Sequence, residues 1–222
     1  MARFAPTVRR QGEWCIREDG VQELKASITN STKATYSLAA RASFYEGLIE
    51  KGPTVGEYLF RENDGMEYIV NSTQIQPRDT TLEYVFLARA NDVVALARPV
   101  YVSAGSDQVS AWDVYSEGVK VYKTITTRSM KEQMDGLIDQ AIYIMHIPAR
   151  FGVMRLDRVY LAKDGEPLSD CKYYRVESID DSLSPLYENV DTSGVDVIQL
   201  TEDKRTGKAT TEPDNPNGGL WG

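Results

Sequence analysis

Apolar and polar positions alternate over short distances along this chain, with the two-residue period of strands rather than the longer period of helices. Glu13 to Arg17 (EWCIR) reads as a strand that runs into the turn Glu18-Asp19-Gly20, since Asp-Gly tolerates positive φ. Thr35 to Tyr45 is rich in small, β-branched and aromatic residues and fits either a strand or an alanine-rich helix. From Gly56 the pattern sharpens. The run EYLFR, the turn Asn63-Asp64-Gly65 and the run Met66 to Val70 predict a hairpin. A loop at Gln76 to Asp79 precedes two more strands, Thr81 to Ala90 and Asp92 to Arg98, with little but Asn91 between them. Pro99 and the polar stretch Ser103 to Asp107 then break the pattern and predict a boundary between units.

The second half repeats this character. Val119 to Thr126 mixes Val and Tyr with Lys120 and Lys123, a strand with one face to water. Ser129 to Asp139 is polar, contains methionine, and fits a short helix or a mobile loop. The apolar run Ala141 to Ile147 ends at Pro148; Leu156 to Leu161, the turn Asp164-Gly165 and Lys172 to Val176 follow. After a loop around Pro185, Val195 to Leu200 is a last strand.

The pattern predicts a mainly β chain of two small barrel or sandwich units with extended arms at both ends. The expected divisions are an arm over 1–11, a first unit over 12–102, a second over 113–200 and a flexible tail over 201–222. Beyond Leu200 the sequence turns charged and then rich in Pro, Asn and Gly, too poor in apolar residues to order itself alone. Leu220 and Trp221 stand out there as an aromatic anchor suited to docking on a neighbour, and Arg9 and Arg10 are the matching candidates in the first arm.

The halves echo one another. Tyr58-Leu59, Asp64-Gly65, Tyr68 and Val70, then Asp92-Val93 and Leu96 match Tyr160-Leu161, Asp164-Gly165, Tyr174 and Val176, then Asp196-Val197 and Leu200. The order is kept and only loop lengths change, which makes a tandem duplication a candidate origin.

Composition adds limits. At 222 residues the chain is long enough for two domains of roughly 100 residues. It contains no apolar run near the roughly 20 residues a membrane helix needs, and no secretory signal follows Met1 to Arg10. A soluble, cytoplasmic protein with no membrane contact is expected. The net charge of -8 argues against tight binding of nucleic acid, which takes clustered Lys and Arg. Cys15 and Cys171 form no CxxC pair and read as free thiols.

Candidate chemistry is sparse. His146 is the one histidine, and it has no second histidine or cysteine at metal-ligand spacing. No GxSxG elbow and no phosphate-cradling glycine loop is present. The acidic pairs Glu18-Asp19, Asp180-Asp181 and Glu202-Asp203 are sequence neighbours, whereas carboxylate catalysis needs groups converging from separate elements. The expectation is no enzyme, no metal and no cofactor.

The segment from Ala141 to Leu200 resembles the head-completion, or stopper, proteins at the portal end of tailed bacteriophages. The resemblance is carried by IMHIPA, a β-run ending in proline, then Leu156-Asp157-Arg158-Val159, a turn, and Tyr174-Arg175-Val176-Glu177-Ser178-Ile179. The preceding strand VKVYKTITT and the polar loop after it also fit, so the likeness extends over 119–200. It implies a structural subunit of a virion neck ring of six or twelve copies, assembled in the host cytoplasm. Its partners would be itself, portal or adaptor and tail proteins, and packaged double-stranded DNA that passes without specific binding. The family's channel-closing loop maps onto 127–139, giving Thr127, Arg128, Met130, Lys131, Met134 and Gly136 as candidate channel residues, with the methionines and the glycine allowing it to repack. The family's barrel has roughly 100 residues; the first half here is either a second copy or an unrelated addition. Other readings are a different neck or tail protein, a cytoplasmic barrel binding a small ligand or peptide, and a hydrolase with a dispersed site.

Overall fold

The computed structural model describes residues 5–31, 43–77, 79–133, 139–162, 166–180, 194–206 and 208–210. Strands β1 (Glu13–Arg17), β2 (Glu23–Asn30), β3 (Phe44–Glu50), β4 (Tyr58–Arg61), β5 (Met66–Ile75) and β6 (Leu82–Arg89) close into one antiparallel barrel, in the order β1-β2-β3-β6-β5-β4. Strands β7 (Asp92–Tyr101), β8 (Val109–Ile125), β9 (Tyr143–Pro148), β10 (Arg158–Leu161), β11 (Lys172–Asp180) and β12 (Val195–Glu202) close into another. A short strand β13 (Lys208–Thr210) pairs in parallel with β8 on its outer side. Helices α1 (Ala5–Gln11) and α2 (Arg128–Gln133) and a 3-10 turn (Ala149–Phe151) complete the described elements.

The two barrels have one topology. In each, the first strand pairs with the second and fourth, the third pairs with the second and sixth, and the fifth lies between the fourth and sixth. The registers agree as well. Cys15 faces Leu24 as Val94 faces Val119, and Leu59 faces Tyr68 as Val159 faces Tyr174. Both fifth strands carry a β-bulge at the same place: the register against the sixth strand slips after Val70 and after Val176, within Val70-Asn71-Ser72 and Val176-Glu177-Ser178. A bulge bends its strand and tightens the local twist, as closure of so small a barrel requires.

The entry to the fourth strand is also shared. Glu57 takes two hydrogen bonds from the Arg17 guanidinium, Nε at 2.6 Å and the other nitrogen at 2.9 Å, and one from the Thr54 backbone N–H at 3.0 Å. Asp157 is bonded by Arg98 at 3.3 Å through both nitrogens and by the Met154 N–H at 2.9 Å. One residue earlier, the N–H of Gly56 donates to the Val70 carbonyl, and that of Leu156 to the Val176 carbonyl. Both residues have positive φ, +85° for Gly56 and +76° for Leu156. Arg98 lies two residues beyond the position equivalent to Arg17, since Leu59 faces Arg17 while Val159 faces Leu96.

The sequence echo therefore holds in register for Tyr68 and Val70 with Tyr174 and Val176 of the fifth strands, and fails for its fourth-strand and last members. Register aligns Tyr58 with Arg158, not with Tyr160, because Leu59 and Val159 face equivalent tyrosines. Asp92-Val93 opens a first strand and Asp196-Val197 a sixth, so that match does not relate equivalent elements. The turn Asp164-Gly165 lies outside the described residues.

Several expected divisions move. The first barrel ends at Arg89, and β7, expected in the first unit up to residue 102, belongs wholly to the second barrel. The polar break at Ser103 to Asp107 is the loop of the β7–β8 hairpin and not a linker; the chain crosses at Ala90-Asn91, whose backbone N–H groups donate to Glu67 and Val121. The arm over 1–11 contains α1, whose Val8 is buried against Leu82 and Leu48. Within the tail expected from Thr201, β12 runs on to Glu202 and β13 rejoins the sheet over Lys208–Thr210. Most of Thr35 to Tyr45 lies outside the described residues, with Phe44 and Tyr45 opening β3. Ser129 to Asp139 begins as helix α2.

Each barrel interior is filled by its own side chains. Cys15, Ile49, Leu59, Tyr68, Val70 and Leu87 pack in the first; Val94, Leu96, Val121, Met145, Val159 and Ile198 pack in the second. Burial, with help from Glu13, pushes the Cys15 thiol up to about 12 and keeps it an unreactive core group.

Between the barrels runs a seam. Phe44 stacks on Phe86 and meets Tyr122 edge-on at 4.8 Å, and His146 lies 5.3 Å from Tyr122 and 5.5 Å from Phe44. Asn71 Nδ2 is 3.3 Å from His146 Nδ1. Burial there pushes the imidazole down to about 4. Polar ties flank this patch: Tyr58 donates to the Lys120 carbonyl, Lys120 pairs with Glu67, and Arg150 bonds Glu18 and the Gly56 carbonyl.

Candidate interaction surface

With one topology used twice, the places where the barrels differ are where a special task can reside. Among the described residues one clear difference is the first hairpin. β1 ends at Arg17 and β2 begins at Glu23, whereas β7 continues to Tyr101 and β8 begins at Val109, so the second barrel carries a ribbon past its rim. The inner face of this ribbon is buried: Trp112 and Val109 pack with Ala95, Ala97, Tyr160 and Cys171.

Trp112 covers an arginine. The Arg158 guanidinium lies 3.7 Å from the Trp112 ring centre and 4.0 Å from that of Tyr173. It donates to Asp203 at 2.8 Å, to the Arg205 carbonyl at 2.6 Å and to the Tyr160 hydroxyl at 3.3 Å. Arg205 bonds Asp203 in turn and donates to the Leu156 carbonyl. Burial alone would raise the Asp203 carboxyl, but hydrogen bonds from Arg205 and Arg158 outweigh it and the net shift is downward. The Trp112 indole donates to the Thr206 carbonyl at 3.3 Å, and β13 follows directly. A buried cation with aromatic faces and a paired carboxylate thus fastens the C-terminal segment to the ribbon.

The outer end of the ribbon is apolar. Val100, Tyr101 and Val102 are 45%, 38% and 58% exposed, three consecutive large residues facing water. β10 pairs with β7 only over Ala95 to Ala97, so beyond Ala97 β7 has no partner on that side among the described residues. The other side of the ribbon is covered by β13, whose own outer edge is likewise unpaired among the described residues.

The proposed channel residues behave differently from one another. Thr127 and Arg128 are exposed, and the Thr127 hydroxyl caps α2 by accepting from the Met130 N–H at 3.2 Å. Met130 is buried and anchors the helix, so it does not face out of the loop, and Lys131 donates to the Asp139 carbonyl. Met134 and Gly136 lie outside the described residues. Arg9 and Arg10 are exposed on α1, with Arg9 3.3 Å from Glu50. Leu220 and Trp221 lie outside the described residues. Of the motif Asp157-Arg158-Val159, all three members are buried: one receives Arg98, one is the arginine under Trp112, and one faces the core.

The sequence reading missed Trp112, Asp203 and Arg205. Trp112 stands in Val109-Ser110-Ala111-Trp112-Asp113-Val114, where Ser110 and Asp113 interrupt the apolar positions, and Asp203 and Arg205 sit in a charged stretch that carries no such signal. No three His, Cys, Asp or Glu side chains among the described residues converge to hold a metal. A cleft of about 820 Å³ opens between the barrels beside Phe60, Met66, Glu67, Arg89, Asp92 and Lys120. Compared with known protein families, curated proteins and solved structures, the chain matches none.

Proposed function

We propose that this chain is a structural subunit of a ring at the head–tail interface of a tailed phage, joining portal to tail and helping to close the DNA channel. The observation that carries the reading is the ribbon of the second barrel, an elaboration that closes no barrel yet exposes Val100, Tyr101 and Val102. Contiguous exposed apolar surface on a soluble chain marks contact with another protein. The resemblance of residues 119–200 to stopper proteins supports assigning that contact to a neck ring, and α2 with the exposed Thr127 and Arg128 lies in the stretch to which the resemblance assigns the channel loop. The net charge of -8 suits a wall past which DNA slides, since a basic wall would hold it.

The test is imaging by negative stain with native mass measurement, of the purified chain alone and mixed with portal assemblies. Rings, or monomers that join portal rings, are the expected result. A chain that stays monomeric and binds no portal would overturn the proposal. A second reading, a binder of small ligands or peptides, is favoured by the inter-barrel cleft, because both barrel interiors are filled.

A further inference from the structure

Strands β13, β8 and β7 form a three-stranded sheet outside the second barrel, in the order β13-β8-β7. Lys208 lies level with Ala111, and Ala111 level with Val100, so the two outer strands sit side by side across β8. Each outer edge is unpaired among the described residues, and an unpaired edge is a row of backbone donors and acceptors ready to bind a further strand.

The two edges differ in kind. One is β13; the other is β7 beyond Ala97, with its exposed valines and tyrosine. β13 runs parallel to β8, and β7 runs antiparallel to it, so β13 and β7 point in opposite directions. When a second copy is placed beside the first with the same orientation, the β13 edge of one meets the β7 edge of the next as an antiparallel pair. A contact between unlike edges is heterologous, and heterologous contacts repeat around a ring, whereas a two-fold dimer joins like to like.

We propose that the β13 edge of one copy pairs with the Arg98 to Tyr101 edge of β7, and with Val102 just beyond it, in the next, so that neighbouring copies share a continuous sheet. This rests on the ring reading above and names the surface through which the ring is joined. Pro99 has no N–H, the Val102 N–H donates to the Gln108 carbonyl and the Val100 carbonyl accepts from the Ser110 hydroxyl, so the pairing centres on the main-chain groups of Tyr101, with the exposed side chains of Val100 and Val102 on either side. Their side chains supply the burial that main-chain bonds alone lack.

Two variants test the pairing. In Val100→Cys/Lys208→Cys the two thiols of one copy are held on opposite sides of β8, roughly 10 Å apart from two strand spacings, beyond disulfide reach. Mild oxidation is expected to give a covalent ladder of multimers, resolved by denaturing electrophoresis. The native Cys15 and Cys171 are buried. In Tyr101→Lys/Val102→Lys, with thermal unfolding used to verify the fold, the concentration at half-assembly should rise at least about tenfold, as charged edges resist pairing. Rings that persist in the lysine variant and give no ladder in the cysteine variant would overturn the edge pairing while leaving the ring reading intact. A wild-type chain that remains monomeric in solution at every concentration, yet joins portal rings, would also overturn it.

Discussion

At the scale of residues, the shared topology offers an internal control, because the same backbone position is filled twice by different side chains. Gly56 and Leu156 occupy one such position, and both have positive φ. Glycine adopts this conformation freely, whereas for leucine it costs roughly 1–2 kcal/mol. The positions diverge in their surroundings: a Cβ on Gly56 would lie 2.2 Å from the Gly194 carbonyl oxygen, where the barrels touch. Gly56→Ala is therefore expected to destabilise by more than about 2 kcal/mol, through backbone strain together with the clash. Leu156→Gly is expected to leave stability unchanged or raise it by up to about 1 kcal/mol, since relief of strain opposes the added freedom of the unfolded chain. Urea denaturation of both variants checks the pair; equal losses would mean that local conformation does not distinguish the two sites.

At the scale of elements, the fastening of β13 depends on a charge that cannot be left alone. Arg158 is buried between two rings, with Asp203 as its carboxylate partner. Removing one member of such a pair strands the other in a low-dielectric site, a loss of roughly 3–5 kcal/mol. Asp203→Asn should destabilise by about that amount, whereas Arg158→Met/Asp203→Leu, which removes both charges, should recover part of it. Denaturant midpoints of the single and double variants decide this, and a double variant no better than the single would show that lost packing dominates. Here the limits of reading the sequence are concrete. The hairpin at Asp64-Gly65 was legible because turn chemistry and strand period agree within a few residues. The ribbon was not, because Pro99 and the polar loop carry the marks of a linker. Nor was the fastening: Asp203 and Arg205 are charged and lie past the last apolar run, and only Arg158, far back in the chain, makes their burial favourable.

At the scale of the whole molecule, the seam joins the two barrels through a histidine. The ordinary imidazole value is 6.5, and burial lowers it to about 4 in the folded chain. Between those values the unfolded chain binds the proton and the folded one does not, so stability falls as pH falls from about 6.5 to about 4. The loss from this group is up to about 3 kcal/mol. The charged pairs beside the seam, Lys120 with Glu67 and Arg150 with Glu18, are open to water, where an ion pair adds little stability. His146→Gln should flatten the pH dependence over that range; a slope equal to wild type would assign it to other groups. The sequence places His146 correctly within an apolar strand, but not its enclosure by Phe44 and Asn71, which come from the other barrel. Two units were legible from the strand pattern, but their common register was only half visible, because four of the six strand pairs share no side-chain motif.

The position of β13 also bears on how the molecule is made. All six strands of the first barrel lie between Glu13 and Arg89, so that barrel can close before the second is complete. The second is different. Its ribbon and Arg158 are synthesised well before Asp203 and β13, so until those last residues emerge the guanidinium has its aromatic neighbours but no carboxylate. Without Asp203 the guanidinium is better hydrated than buried, which disfavours the finished packing of Trp112 and Tyr173 over it. The second barrel also needs its last strand to close, since β12 bridges β11 and β9.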